Sequence, residues 1–151
     1  MLTVVALAGI ATFRLPLWRN AAEVPPAITR CAPVAPPAAD ADGDGCEETV
    51  QRVGDVLQAG VARFALGGPD DAWAVGDWDC DGRRTPALLH DGVLDLFDGW
   101  PEPGAEVPGR PVAAAPGATA ITVVSGPGGC EQPALVRHVG ADLIVDPRAG
   151  P

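Results

Sequence analysis

Short runs of apolar and alternating positions, punctuated by turn residues, make up most of the chain. Thr49-Val50-Gln51-Arg52-Val53 reads as a strand, and Gly54-Asp55 reads as a turn. Val56 to Ala59 and Val61 to Leu66 read as further strands, and Gly67-Gly68-Pro69-Asp70 turns the chain into Ala72-Trp73-Ala74-Val75. Pro86 to His90 and Val93 to Phe97 flank Asp91-Gly92, a dipeptide that favours tight hairpins. Residues 98–118 form a Pro/Gly-rich connection in which Pro111 to Ala115 is a candidate strand. Ala120 to Val124 is a strand, Gly126 to Gly129 a loop, and Pro133 to Val139 with Asp142 to Val145 a last hairpin about Gly140-Ala141. No helical period stands out after residue 20, so the expected fold class is all-β, built from short antiparallel strands.

The two ends of this pattern differ from its middle. Met1 to Leu17 is mostly apolar, but its unbroken stretch is shorter than the roughly 20 residues of a membrane span. Residues 1–19 read as a hydrophobic anchor or signal-like segment, with an ordinary buried helix as the alternative. Arg14 and Arg19 follow the run, and no basic segment precedes it. Residues 20–39 carry Val24-Pro25-Pro26 and Ala32-Pro33-Val34-Ala35-Pro36-Pro37, a Pro/Ala-rich linker of extended polyproline character. A β domain then spans 40–148.

An acidic pattern organises that domain. Asp77-Trp78-Asp79-Cys80-Asp81-Gly82 places carboxylates at alternate positions before a glycine, and Asp40-Ala41-Asp42-Gly43-Asp44-Gly45 does the same 37 residues earlier. A tightly curled loop points its first, third and fifth residues at one centre. Hard oxygen ligands so arranged suit Ca²⁺, which takes six to eight of them. Cys130-Glu131-Gln132-Pro133-Ala134-Leu135-Val136 lines up with Arg83 to Leu89 at an offset of 47, but Val124, Gly126 and Gly128 stand where the acids would be. The expectation is therefore three units, about 40–76, 77–118 and 119–148, the third without an acidic loop. A period near 40 residues points to a propeller or another stacked array.

An EF-hand does not fit, because its twelfth loop position needs a bidentate Glu and flanking helices. That position holds Gln51 in the first loop and Leu88 in the second. Val75-Gly76-Asp77-Trp78-Asp79-Cys80-Asp81-Gly82 and, less fully, Ala39 to Gly45 resemble instead the FG-GAP/VCBS repeat of integrin-like β-propellers. The resemblance implies ligands Asp40, Asp42, Asp44, the Cys46 carbonyl and Glu48 in the first loop. In the second it implies Asp77, Asp79, Asp81, the Arg83 carbonyl and Thr85. Thr85 departs from the family's acidic residue, and Arg83 and Arg84 add positive charge, so weaker binding is expected there. Three units do not close a ring of four to eight blades; a partial propeller, or a ring completed by another copy, follows.

Composition narrows the function. The chain has 151 residues, net charge −10 and no lysine, and its Ala/Gly/Pro/Arg usage is that of a GC-rich, actinobacterial genome. So acidic a chain does not suit nucleic acid or an anionic membrane surface. Four cysteines without a CxxC spacing, and only two histidines, make a disulfide pair of pairs a better reading than zinc or free thiols. Their pairing among Cys31, Cys46, Cys80 and Cys130 stays open. Catalytic signatures are lacking: Ser125 is the only serine, and His90 and His138 read as surface or hairpin residues. Trp73, Trp78 and Trp100 are either packing residues or a glycan-binding face.

The expectation is a non-enzymatic, extracytoplasmic domain, membrane-anchored or secreted, with structural Ca²⁺ and an unknown protein or glycan partner. Oligomerisation would complete the ring. The alternatives are a metal-free disulfide-stabilised interaction module and an accessory domain of a glycan-active enzyme using Asp95 or Asp98.

Overall fold

The computed structural model describes residues 31–148. The expected anchor and most of the linker therefore lie outside the described residues. Within them the chain is all-β: strands in three antiparallel sheets, one single-turn 3₁₀ segment at Pro127–Gly129, and no closed barrel. No helix among the described residues is long and apolar enough to cross a membrane.

Each sheet follows chain order. β1 (Ala38–Ala39), β2 (Glu48–Val53), β3 (Val56–Ala59) and β4 (Ala62–Ala65) form the first. β5 (Ala72–Gly76), β6 (Thr85–His90), β7 (Val93–Phe97) and β8 (Gly109–Ala114) form the second. β9 (Ala118–Ser125), β10 (Glu131–Arg137) and β11 (Leu143–Ile144) form the third. The hairpin at Asp91-Gly92 pairs His90 with Val93, and the Gly54-Asp55 turn pairs Val53 with Val56. In every sheet, the connection from its first to its second strand is a loop that contains glycine.

The sheets stack, with the second in the middle. On one face Ala74, Ala87, Leu89, Leu94 and Leu96 pack against Leu135 and Val145 of the third sheet's side. On the other, Val75 and Leu88 pack against Ala39, Val50, Leu57 and Ala59 of the first. This explains a local contrast in sequence. β6 is buried at Pro86, Ala87, Leu88 and Leu89 in succession, because both of its faces are covered. β2, with one solvated face, alternates around the buried Val50. First strands lie beside one another: β5 packs on β9, and β1 touches β5.

Two boundaries depart from the pattern read along the chain. Ala38 and Ala39 fall in the expected linker, yet they are buried and pair with Thr49 and Glu48. Two small side chains flanked by proline carry no period, so the strand leaves no signature. β8 begins at Gly109 rather than Pro111, and β9 starts at Ala118. Gly109 pairs with Phe97, where an added Cβ would meet the Phe97 ring at 3.1 Å.

Candidate metal centres

The first acidic loop runs between β1 and β2. Asp40, Asp42, Asp44 and Glu48 each present a carboxylate oxygen, and these lie within 4.8 Å of one another. Opposite oxygens around a Ca²⁺ at 2.3–2.6 Å stand about 5 Å apart, so the cluster has the right size. The loop is shaped by its own side chains. Asp40 accepts from the amides of Gly43 (2.8 Å) and Gly45 (3.0 Å). Asp42 accepts from Asp44 N at 3.1 Å, Asp44 from Cys46 N at 2.8 Å, and Glu48 from Ala41 N at 3.2 Å. Such aspartate-to-amide bonds two or three residues on are the ordinary chemistry of tight turns.

The second loop joins β5 to β6 and brings together Asp77, Asp79 and Asp81 within the same 4.8 Å. Asp79 accepts from Asp81 N at 3.2 Å, Asp81 from Arg83 N at 2.7 Å, and Asp77 from Gly82 N at 3.1 Å. The other Asp77 oxygen, Oδ1, is buried without a hydrogen-bond partner among the described residues. A buried carboxylate oxygen left bare is costly, and a cation would satisfy it. This loop also takes a left-handed backbone at Cys80 (φ 69°), where the first loop has Gly43 (φ 78°). Glycine adopts that conformation freely; a cysteine is strained there.

Expected ligands of both loops are thus gathered by carboxylate. Thr85 contributes a backbone carbonyl to a bond from Trp78 Nε1 at 2.9 Å. That bond fixes Trp78 in the core, against Gly76, where any Cβ would meet the indole at 2.4 Å. Trp100 packs on Phe64 with ring centroids 4.8 Å apart and donates to the Arg84 carbonyl at 3.0 Å. Trp73 packs against the cluster around Leu88.

The loop between β9 and β10 carries no carboxylate, but it supports the second. Cys130 is disulfide-bonded to Cys80, while Cys46 is bonded to Cys31. Disulfides of this kind are consistent with an oxidising, extracytoplasmic setting. Glu131 accepts from Asp77 N at 2.8 Å and donates its own amide to the Asp77 carbonyl at 3.1 Å.

Glu131 also holds Arg84, through Nε at 3.1 Å and Nη2 at 3.0 Å, and Arg84 Nη1 reaches Glu47 at 3.0 Å. Glu47, Arg84 and Glu131 each follow the loop of their own sheet by the same step. One ion-paired chain therefore links all three sheets at the loop end of the stack. Burial alone would raise the Glu131 carboxyl; the Arg84 guanidinium and the Asp77 amide outweigh it and hold it below the usual 4.5. This arrangement also pairs Arg84, one of two charges expected to oppose a cation, with carboxylates outside the second loop's cluster. Sequence reading missed it because the three residues are distant in the chain and ordinary in type.

The histidines sit apart from the loops. His90 Nδ1 lies 2.7 Å from Asp71 Oδ1, and its Nε2 lies 3.2 Å from Asp91. The Asp71 hydrogen bond raises the imidazole's pKa, and the Gly68 amide, with His90, lowers that of Asp71. His90 is exposed on the hairpin, and His138 is exposed as well. Comparison with protein-family models, curated proteins and solved structures finds no match to this chain.

Proposed function

We propose that the chain is a non-enzymatic, extracytoplasmic β-repeat domain of FG-GAP/VCBS type. Its sheets are three blades of a partial propeller, and its two acidic loops hold structural Ca²⁺. Its role is scaffolding or recognition at the cell surface. The observation that carries this reading is positional. Each acidic loop joins the first two strands of its own sheet and gathers its carboxylates within 4.8 Å. The all-oxygen donor set excludes no hard cation, but an extracellular Ca²⁺ supply fills even sites of roughly 10⁻⁴–10⁻³ M. In the first loop Asp40, Asp42, Asp44 and Glu48 would bind, with the Cys46 carbonyl. In the second, Asp77, Asp79 and Asp81 would bind with the Arg83 carbonyl and Thr85.

Thermal melting tests this. Calcium at about one hundred times Kd stabilises by about 2.7 kcal/mol, a rise near 10 °C for a domain of this size. The account expects that rise against chelator, and its absence overturns the calcium reading. One observation favours a second reading, a metal-free interaction module. The loop carboxylates already cap backbone amides, as turn aspartates do without any ion. An unchanged melting temperature is its expected result.

A further inference from the structure

Beside the second loop lies a cleft of about 280 Å³ whose wall is shared with that loop through Asp79 and Asp81. Its other charged lining residues are Arg83, Arg110, Arg148 and Asp98. The setting is unusual for this protein, which carries ten basic residues against twenty acidic ones. Three of its arginines meet at one small cavity, and among the described residues none of the three is in a salt bridge. Arg110 reaches only the Pro147 carbonyl, at 3.4–3.5 Å, and Arg148 the Cys130 sulfur at 3.1 Å. Guanidinium groups without carboxylate partners are ready to receive an oxyanion, often in bidentate fashion.

We propose that this cleft binds a carboxylated sugar, a uronic acid residue of a glycan, with the cation of the second loop as part of the site. The inference rests on the calcium reading of that loop. Without a cation, Asp79 and Asp81 would repel a carboxylate; with one, their charge is neutralised. The mixed lining selects the ligand class. An acidic peptide side chain uses the arginines but carries no hydroxyl to donate to Asp98. A uronate uses both: its carboxylate takes the guanidinium groups, and its hydroxyls donate to Asp98. The volume, at the lower end of ligand pockets, suits one sugar residue.

The test is NMR titration of the oxidised protein with methyl glucuronide, in saturating calcium and in chelator. Calcium alone is titrated first, so the loop and the cleft are judged separately. The expected result is saturable shifts at residues of the cleft in calcium only, with none from the neutral methyl glucoside. Arg110→Gln should weaken uronide binding about tenfold or more while leaving calcium affinity intact. Asp98→Asn should weaken the uronide but not an N-acetylglutamate amide probe. Normal calcium binding without uronide shifts overturns this inference and leaves the calcium reading standing. Equal binding of the glutamate probe overturns the sugar assignment, uronide shifts that persist in chelator overturn the cation's part, and failure of calcium itself overturns both readings.

Discussion

The two acidic loops share a sequence pattern and a place between first and second strands, yet they are held in different ways. The first is shaped by its own side chains and reaches another sheet only through the exposed Glu47–Arg84 pair. It has a fourth carboxylate, Glu48, it takes its left-handed turn at Gly43, and its disulfide ties it only to the exposed segment around Cys31. The second has three carboxylates and a strained Cys80, but its neighbours build it: Cys130, Glu131 and Arg84. The first loop thus carries its information locally. The second depends on the third sheet, whose own loop carries no carboxylate and acts as a support.

The largest effects should come from separating the loops from their tethers. Replacing Cys80 and Cys130 by serine opens a loop of 50 residues, worth about 4 kcal/mol by chain entropy, against about 3 kcal/mol for the 15-residue loop of Cys31 and Cys46. The first replacement also frees Cys80 from its constraint and detaches the second loop from the third sheet. Denaturant unfolding should therefore show the larger loss there, with weaker calcium binding at the second loop. Removing Cys31–Cys46 should leave both loops' affinities nearly unchanged. Equal losses would break the contrast.

Next in size is the ion-paired chain. Arg84→Ala leaves Glu131 partly buried without its guanidinium and should cost about 1–3 kcal/mol. Glu47→Ala removes only an exposed partner and should cost under about 1 kcal/mol. The pH dependence follows in sign. Glu131 has a lowered pKa in the folded state, so its contribution is present above 4.5 and fades as pH falls through its folded value. Acid titration of stability should show this loss below 4.5, and the loss should shrink in Arg84→Ala, where only the Asp77 amide still favours the carboxylate.

Smaller again are the swaps that exchange the loops' donor sets. Glu48→Gln should weaken calcium at the first loop several-fold, and Thr85→Glu should strengthen it at the second, measured by calorimetry. Both changes narrow the difference between the loops. The smallest effect is at the hairpin: the raised His90 pKa gives stability present below 6.5 and lost as pH rises through its folded value, a trend that His90→Gln should remove.

How much of this was legible in the chain follows the same division between local and distant. The strands around Gly54-Asp55 and Asp91-Gly92 were readable because turn chemistry and short apolar runs sit within a few residues. Both carboxylate clusters were readable because their ligands are neighbours in sequence, Glu48 included. Trp78 follows the packing reading, since a buried indole needs one acceptor and Thr85 supplies it. What could not be read joins residues far apart: the pairing of Cys80 with Cys130, and Glu131 reaching back to Asp77 and Arg84. β1 was hidden for another reason. Two alanines after a proline run look like linker until Thr49 and Glu48 are placed opposite them.

The most direct measurement is a calorimetric calcium titration of the oxidised protein beside Asp40→Ala, Asp77→Ala and the double variant. The account predicts two saturable sites, the first loop tighter, with one lost in each single variant and both in the double. Flat heats from the folded, disulfide-bonded protein, or binding that survives in the double variant, would contradict it.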